Sequence, residues 1–150
     1  MKNKAFLNVV ASAPLVSIDL IVRNEEGHVL LGKRVNRPAR GYWFVPGGSI
    51  RKNERIVDAF ERISRDELGN PLEQKDARLV GIFEHFYDDN FLGEDNVSTH
   101  YVVMAYECRL DPAARIVLDG QHSEVKWWNV EELLDSASVH VNTKAYFAKD

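Results

Sequence analysis

The stretch from Pro46 to Gly69 constrains this chain more tightly than any other part of it. Residues 42–45 are aromatic and apolar and read as a short strand, which Pro46-Gly47-Gly48 stops. A helix is expected over residues 53–68. Asn53 is placed to act as its N-cap, Glu54 suits the positive end of the helix dipole, Gly69 ends it, and Pro71 follows. At ~100° per residue, Ile56, Phe60 and Ile63 form one apolar stripe. Glu54, Asp58, Glu61 and Arg65 point the opposite way, as a solvated face does, and Arg62 and Asp66 stand four apart on the flank, the spacing of an ion pair.

Glu67 breaks this pattern twice. It falls on the apolar stripe, where an unpaired carboxylate is costly, and in the last helical turn, where the dipole disfavours negative charge. A cation must compensate. An arginine would do so, and so would a divalent metal ion; the helical wheel leaves both open. Chain length lets the glycine turn take part. Glu67 lies ~20 Å along the helix from Glu54, and the six residues 48–53 span about that distance when extended at ~3.3 Å each. A loop running back along the helix therefore brings the backbone carbonyls of Pro46-Gly47-Gly48 near Glu67. Carbonyl and carboxylate oxygens are the ligands Mg²⁺ prefers, and it takes few of them from protein.

The remaining chain supplies a scaffold. Strand periodicity or composition marks residues 15–22, 29–33, 79–86, 100–108 and 124–128. In the first of these, Val16, Ile18, Leu20 and Val22 share one face, and Ser17, Asp19 and Ile21 the other. Asn129 with Glu132 resembles a capping box for a short helix, and residues 139–147 read as a last helix. Strands and helices interleave, yet hairpins are present, so the expected class is α/β (α+β), a mixed sheet flanked by helices. One domain over residues 1–150 suits the length. A net charge of −4 argues against a non-specific nucleic-acid binder, and a single cysteine, Cys108, excludes an internal disulfide. Lys2, Lys4 and Ala11-Ser12-Ala13 mimic a secretory leader, but the apolar run 5–10 is short and holds Asn8, against a leader's ~7–15 apolar residues. The expectation is a cytoplasmic protein with no membrane span and no nucleic-acid partner.

Gly48, five residues, Glu54, seven residues, Arg62, then Asp66-Glu67-Leu68-Gly69 resembles the Nudix box, here residues 48–69. That resemblance implies the Nudix fold. Its departures are informative: Arg62-Ile63 stands where Arg-Glu is usual, Asp66-Glu67 where Glu-Glu is usual, and Asn70 follows Gly69. Nudix pyrophosphatases use several helix carboxylates to bind more than one metal, and Ile63 cannot ligate, which favours a single-metal site. The chain is similar over nearly its whole length to the GDP-mannose mannosyl hydrolase branch. The stretches that carry this are 14–19, 30–34, 41–48 (Gly-Tyr-Trp-Phe-Val-Pro-Gly-Gly), 85–91 (His-Phe-Tyr-Asp-Asp-Asn-Phe) and Gln121-His122. The resemblance implies hydrolysis of the glycosidic carbon–oxygen bond of GDP-mannose, and of GDP-glucose, with inversion. It further implies Mg²⁺, replaceable by Mn²⁺, held by the Gly47 carbonyl, Glu67 and Gln121, with His122 as general base, and a homodimer in which Phe6 stacks on guanine across the interface.

The chemistry asks for such residues. GDP leaves only if its growing negative charge is neutralised, and arginine's planar fork suits phosphate oxygens. Lys33, Arg34, Arg37 and Arg40 crowd one segment that alone reads as a solvated loop; with the resemblance, Arg34 becomes the diphosphate contact. Arg62 is either a partner of Asp66 or Glu54 or a secondary substrate contact. A histidine is a suitable base near neutral pH, though a lone loop histidine such as His122 is more often plain surface. Asp19 is either a polar edge residue or a contact to sugar or water hydroxyls. His85 and Tyr101 read as ordinary strand residues or as polar contacts to sugar or phosphate, and Phe6 as plain packing or a base platform. The branch often has an arginine after the two glycines, where this chain has Ser49; either Arg51 or another arginine substitutes for it, or the leaving group is less well stabilised here. Three functions compete: hydrolysis at the sugar carbon, cleavage of the P–O–P bridge, and nucleotide-sugar binding without catalysis.

Overall fold

The computed structural model describes residues 3–117 and 122–148, with the backbone alone at 122 and 123. Strands β1 (Leu15–Arg23), β2 (Val29–Arg34), β3 (Trp43–Phe44), β4 (Gly47–Ser49), β5 (Arg78–Tyr87), β6 (Thr99–Arg109) and β7 (His122–Trp128) join one mixed sheet. The helices are α1 (Asn3–Ser12), α2 (Ile56–Leu68), α3 (Val130–Asp135) and α4 (Val141–Lys144).

β1 is the axis. It runs parallel to β6 over its whole length, from Leu15 opposite Tyr101 to Arg23 opposite Arg109. Its other edge is shared: β2 meets it at Arg23 and Val29, and β4 pairs with it antiparallel along 17–19. The far side of β6 holds β5, and β2 carries β3 and β7. Both faces of β1 are buried. Ile18, Leu20 and Val22 pack against Ala59, Phe60, Ile63 and Leu68 of α2. Ile21 packs with Trp43, Trp128, Leu133, Val139 and Tyr146 on the opposite side. Phe60, Ile63 and Leu68 are at most 1% exposed, and such burial contributes about 1.5–3 kcal/mol per side chain. The mixed sheet between helices is therefore as the periodicity implies.

Several boundaries differ. Asn53 is no N-cap: it takes φ +67 in a turn, and α2 starts at Ile56 with Arg55 before it and no side-chain cap. Gly69 does end the helix, at φ +70, its N–H donating to the Arg65 carbonyl. The first turn of α2 stands clear of the core, so Ile56 is 39% exposed although it lies on the stripe. Glu54, expected on the solvated face, is only partly exposed and bound to Arg62. Gly47–Ser49 extends the chain as β4 rather than ending it. Asn129 caps α3 by accepting from the Glu131 N–H, but Glu132 bonds Lys126 and closes no box. The last helix is short, 141–144, capped by the His140 ring. Residues 3–12, given no element from sequence, form α1. Among the described residues no helix is long and apolar enough to cross a membrane.

Candidate functional site

The β1–β4 ladder and the end of α2 meet at Gly47. The Leu20 N–H donates to the Pro46 carbonyl and the Ile50 N–H to the Val16 carbonyl. With Ile18 opposite Gly48, this makes Ile18–Gly48 a hydrogen-bonded pair and Asp19–Gly47 a non-hydrogen-bonded one. The Gly47 amide group is thus turned away from β1, and its N–H donates to Glu67 Oε1 at 3.2 Å. The carboxylate that the helical wheel puts on the apolar stripe is 8% exposed and does stand against the glycine turn. No residue but glycine fits at 47, where a Cβ would collide with the Asp19 carboxylate and lie 2.7 Å from the Ile18 carbonyl oxygen. Gly48 is close to Ile63, 3.1 Å from a would-be Cβ to Cγ1.

Arg62 holds this turn in place. Its guanidinium donates to both oxygens of Glu54, at 2.8 and 2.9 Å, and to the Ser49 carbonyl at 2.9 Å. Glu54 in turn accepts the Arg51 N–H. Hydrogen bonds from Arg62 hold the Glu54 carboxyl down at about 2. Asp66 is a weaker partner at 3.8 Å. Arg62 clamps β4 to α2 and is not among the residues lining the adjoining cleft; neither is Arg51.

That cleft, of about 570 Å³, gathers Phe6, Asp19, Arg34, Gly47, Glu67, His85 and Tyr101, which the sequence singles out from seven separate elements. Arg34 follows a bulge in β2, donates from Nε to the Pro38 carbonyl at 3.1 Å and lies over the Phe44 ring. Its backbone is in register with that of His122. Gln121 and the His122 side chain lie outside the described residues. Burial lifts the Asp19 carboxyl to about 7, against the pull of a Tyr146 hydrogen bond and the Arg34 charge. Burial, and then His140, lower His85 to about 4, so its ring is neutral at neutral pH. Burial raises Tyr87 to about 12 and also raises Tyr101. Both phenols remain protonated donors.

Sequence reasoning assigns no role to five contributors. Arg37 lines the cleft, its guanidinium filling the space above Gly93, and adds a second arginine to the wall. Phe44 and Tyr87 form an aromatic side, with His140 stacked on Phe44 at 4.9 Å. Phe91 packs on Phe6 at 5.0 Å, so Phe6 belongs to its own chain's cleft. Tyr146 reaches Asp19 from behind. The signal for Arg37, Phe44, Tyr87 and Phe91 is present, since all four fall within segments already singled out.

The donor set fits a hard divalent cation. Glu67 is buried, receives one backbone N–H, and has no salt bridge among the described residues, while the Asp19 carboxylate adjoins the same glycine. Among the described residues no group of three or more His, Cys, Asp and Glu side chains is placed to hold a metal unaided. One carboxylate, one carbonyl and bound water is the usage of Mg²⁺.

Comparison with known proteins identifies the family and the fold. The family model described as NUDIX domain matches residues 13–149. Over 118 residues the chain is 49% identical to the low-salt glycan biosynthesis protein Agl8 of Haloferax volcanii, covering 79% of this chain and 72% of that protein. It is 33% identical over 70 residues to an ADP-ribose pyrophosphatase of Methanocaldococcus jannaschii, covering 47% of this chain and 40% of that protein. The fold is that of the MutT protein from Methanosarcina mazei, with a TM-score of 0.73 at 20% identity, over 91% of this chain and 92% of the other.

Proposed function

The chain belongs to the Nudix hydrolase family, and on that premise we propose that it hydrolyses GDP-mannose, and GDP-glucose, to GDP and free hexose, water attacking the anomeric carbon with inversion. One observation carries this reading. Position 63 of α2 is an isoleucine, 1% exposed and packed beside Gly48, so the helix turns a single carboxylate, Glu67, toward the cleft. Asp66 faces outward with its side chain 53% exposed, and Glu54 is consumed by Arg62. A cluster of metals activating water for attack on phosphorus needs more carboxylates than this helix presents. The similarity to a protein named for glycan biosynthesis supports a sugar-bearing substrate.

In this proposal Glu67, the Gly47 carbonyl and Gln121 hold Mg²⁺, which when bound neutralises charge on the diphosphate. Arg34 and Arg37 add donors to the same leaving group. Arg62 fixes the turn that carries Gly47. Asp19, His85 and Tyr101 meet hydroxyl groups of the sugar, and Phe6 with Phe91 offers an aromatic platform to the base. His122 takes the proton of the attacking water. The proposal extends to a homodimer. Mixing the protein with GDP-mannose and Mg²⁺ and following ³¹P and ¹H spectra tests it. GDP with the β-hexose as first product is expected from an α-linked substrate; GMP with hexose 1-phosphate sinks the reading.

The second reading is cleavage of the P–O–P bridge of a nucleotide sugar. The similarity to an ADP-ribose pyrophosphatase favours it, and the same spectra separate it from the first.

A further inference from the structure

Tyr146 stands in the turn after α4, 9% exposed, and is not among the residues that line the cleft. Its ring packs edge-on against Phe83, 4.8 Å between centroids. The hydroxyl, its one polar side-chain atom, meets two residues that do line the cleft. It donates to Asp19 Oδ2, and it lies 3.3 Å from His85 Nε2. A phenol has one proton to give. Given to the carboxylate, the stronger acceptor, it leaves the phenolic oxygen as an acceptor, and the partner facing it must then be an N–H. His85 is thereby set as the tautomer protonated at Nε2, with Nδ1 unprotonated. Burial keeps the phenol itself protonated far above the ordinary range.

We propose that Tyr146 is a positioning residue of the cleft, whose hydroxyl fixes both the carboxylate oxygen that Asp19 offers to substrate and the tautomer of His85. With Oδ2 occupied, Oδ1 is the oxygen beside Gly47. An ionised phosphate has no proton to donate to it, whereas the hydroxyls of a sugar do, and these are the donors assigned to it. Only this last step rests on the nucleotide-sugar reading; the hydrogen-bond chain stands without it.

The test begins with the ¹⁵N signals of the His85 ring at ~pH 8, where Asp19 is ionised and the His85 ring is neutral. In the wild type, Nε2 is expected to carry the proton in one dominant tautomer. In Tyr146→Phe, which keeps the ring packed on Phe83, that preference is expected to disappear while backbone signals remote from the cleft stay in place. A wild-type ring protonated at Nδ1, or a His85 signature unchanged in Tyr146→Phe, overturns the proposal. The wild-type spectrum decides by itself should the variant not fold. With GDP-mannose as substrate, kcat/KM of Tyr146→Phe is expected to fall about tenfold or more, and the affinity for GDP with Mg²⁺ to stay within about twofold. Equal loss in both contradicts a role confined to the sugar side. Absence of turnover by the wild type defeats the proposed reaction and leaves the ring signals to decide the role of Tyr146.

Discussion

The carboxylate of Asp19 fills the space that a side chain on Gly47 would occupy. Two strands paired edge to edge thereby bring a buried acid and an open backbone amide into contact, and Glu67 closes on that amide from the helix. Gly47→Ala must displace either Asp19 or the Ile18 carbonyl, 2.7 Å from the new methyl. The expected cost is about 1–3 kcal/mol in stability, read by thermal unfolding. Turnover is expected to fall on the order of a hundredfold, because small misplacement of reacting groups is expensive. Wild-type turnover in Gly47→Ala would mean that the strand contact does not set the site.

Glu67→Gln should have opposite effects with and without metal. Without metal, Glu67 is a buried carboxylate satisfied by one N–H, so the neutral variant is expected to be at least as stable as the wild type. With Mg²⁺ at a hundred times its dissociation constant the wild type gains about 2.7 kcal/mol, and the variant gains far less. Unfolding in chelator and in Mg²⁺ measures both. A variant stabilised as strongly as the wild type would remove Glu67 from the metal site.

Asp19 ties stability to pH. Its carboxyl is raised from the ordinary 3.8 to about 7, so the folded protein holds a proton that the unfolded chain has released across that window. Stability contributed by this group is present below pH ~4 and lost as pH rises to ~7. His85, depressed from 6.5 to about 4, acts in the opposite sense over its own window. The comparison with Asp19→Asn cancels the histidine. In chelator, the variant is expected to gain on the order of 2 kcal/mol relative to the wild type between pH ~4 and ~8. A pH-independent difference in urea unfolding would contradict the burial argument.

The Glu54–Arg62 pair has the reverse sign. Glu54 is held down at about 2 from 4.5, so its contribution is present above pH ~4.5 and lost as pH falls toward ~2. Glu54→Gln is expected to cost about 1–2 kcal/mol at neutral pH, a modest figure because the pair is partly solvated, and almost nothing near pH ~2. The same variant loosens the Arg62 bond to the Ser49 carbonyl, so turnover falls with stability. A variant as active and stable as the wild type at neutral pH would assign the clamp no role.

What the sequence shows and hides follows from distance along the chain. The alternation of β1, the α2 stripe and the displaced Glu67 are local patterns; Glu67 survives whole, and the other two lose their first apolar member, Val16 and Ile56, to solvent. The approach of Glu67 to Gly47 is legible too, because a loop of known length leaves few places for the turn to go. The β4 strand is not legible: Gly47-Gly48-Ser49 has poor strand propensity and is extended only because β1 offers a free edge there. Asn53 shows why a capping residue misleads, since asparagine serves equally at positive φ. Tyr146 and Asp19 are 127 residues apart, and no local signal joins them. Arg62 carries two plausible partners in sequence, and only the fold selects Glu54 over Asp66.

The central claim is that the bond broken is carbon–oxygen. Running the reaction with GDP-mannose and Mg²⁺ in ¹⁸O-enriched water and weighing the products tests it most directly. The label is expected at the C1 hydroxyl of the released hexose, with GDP unlabelled. Label in a phosphate product, whether GMP or hexose 1-phosphate, would contradict it.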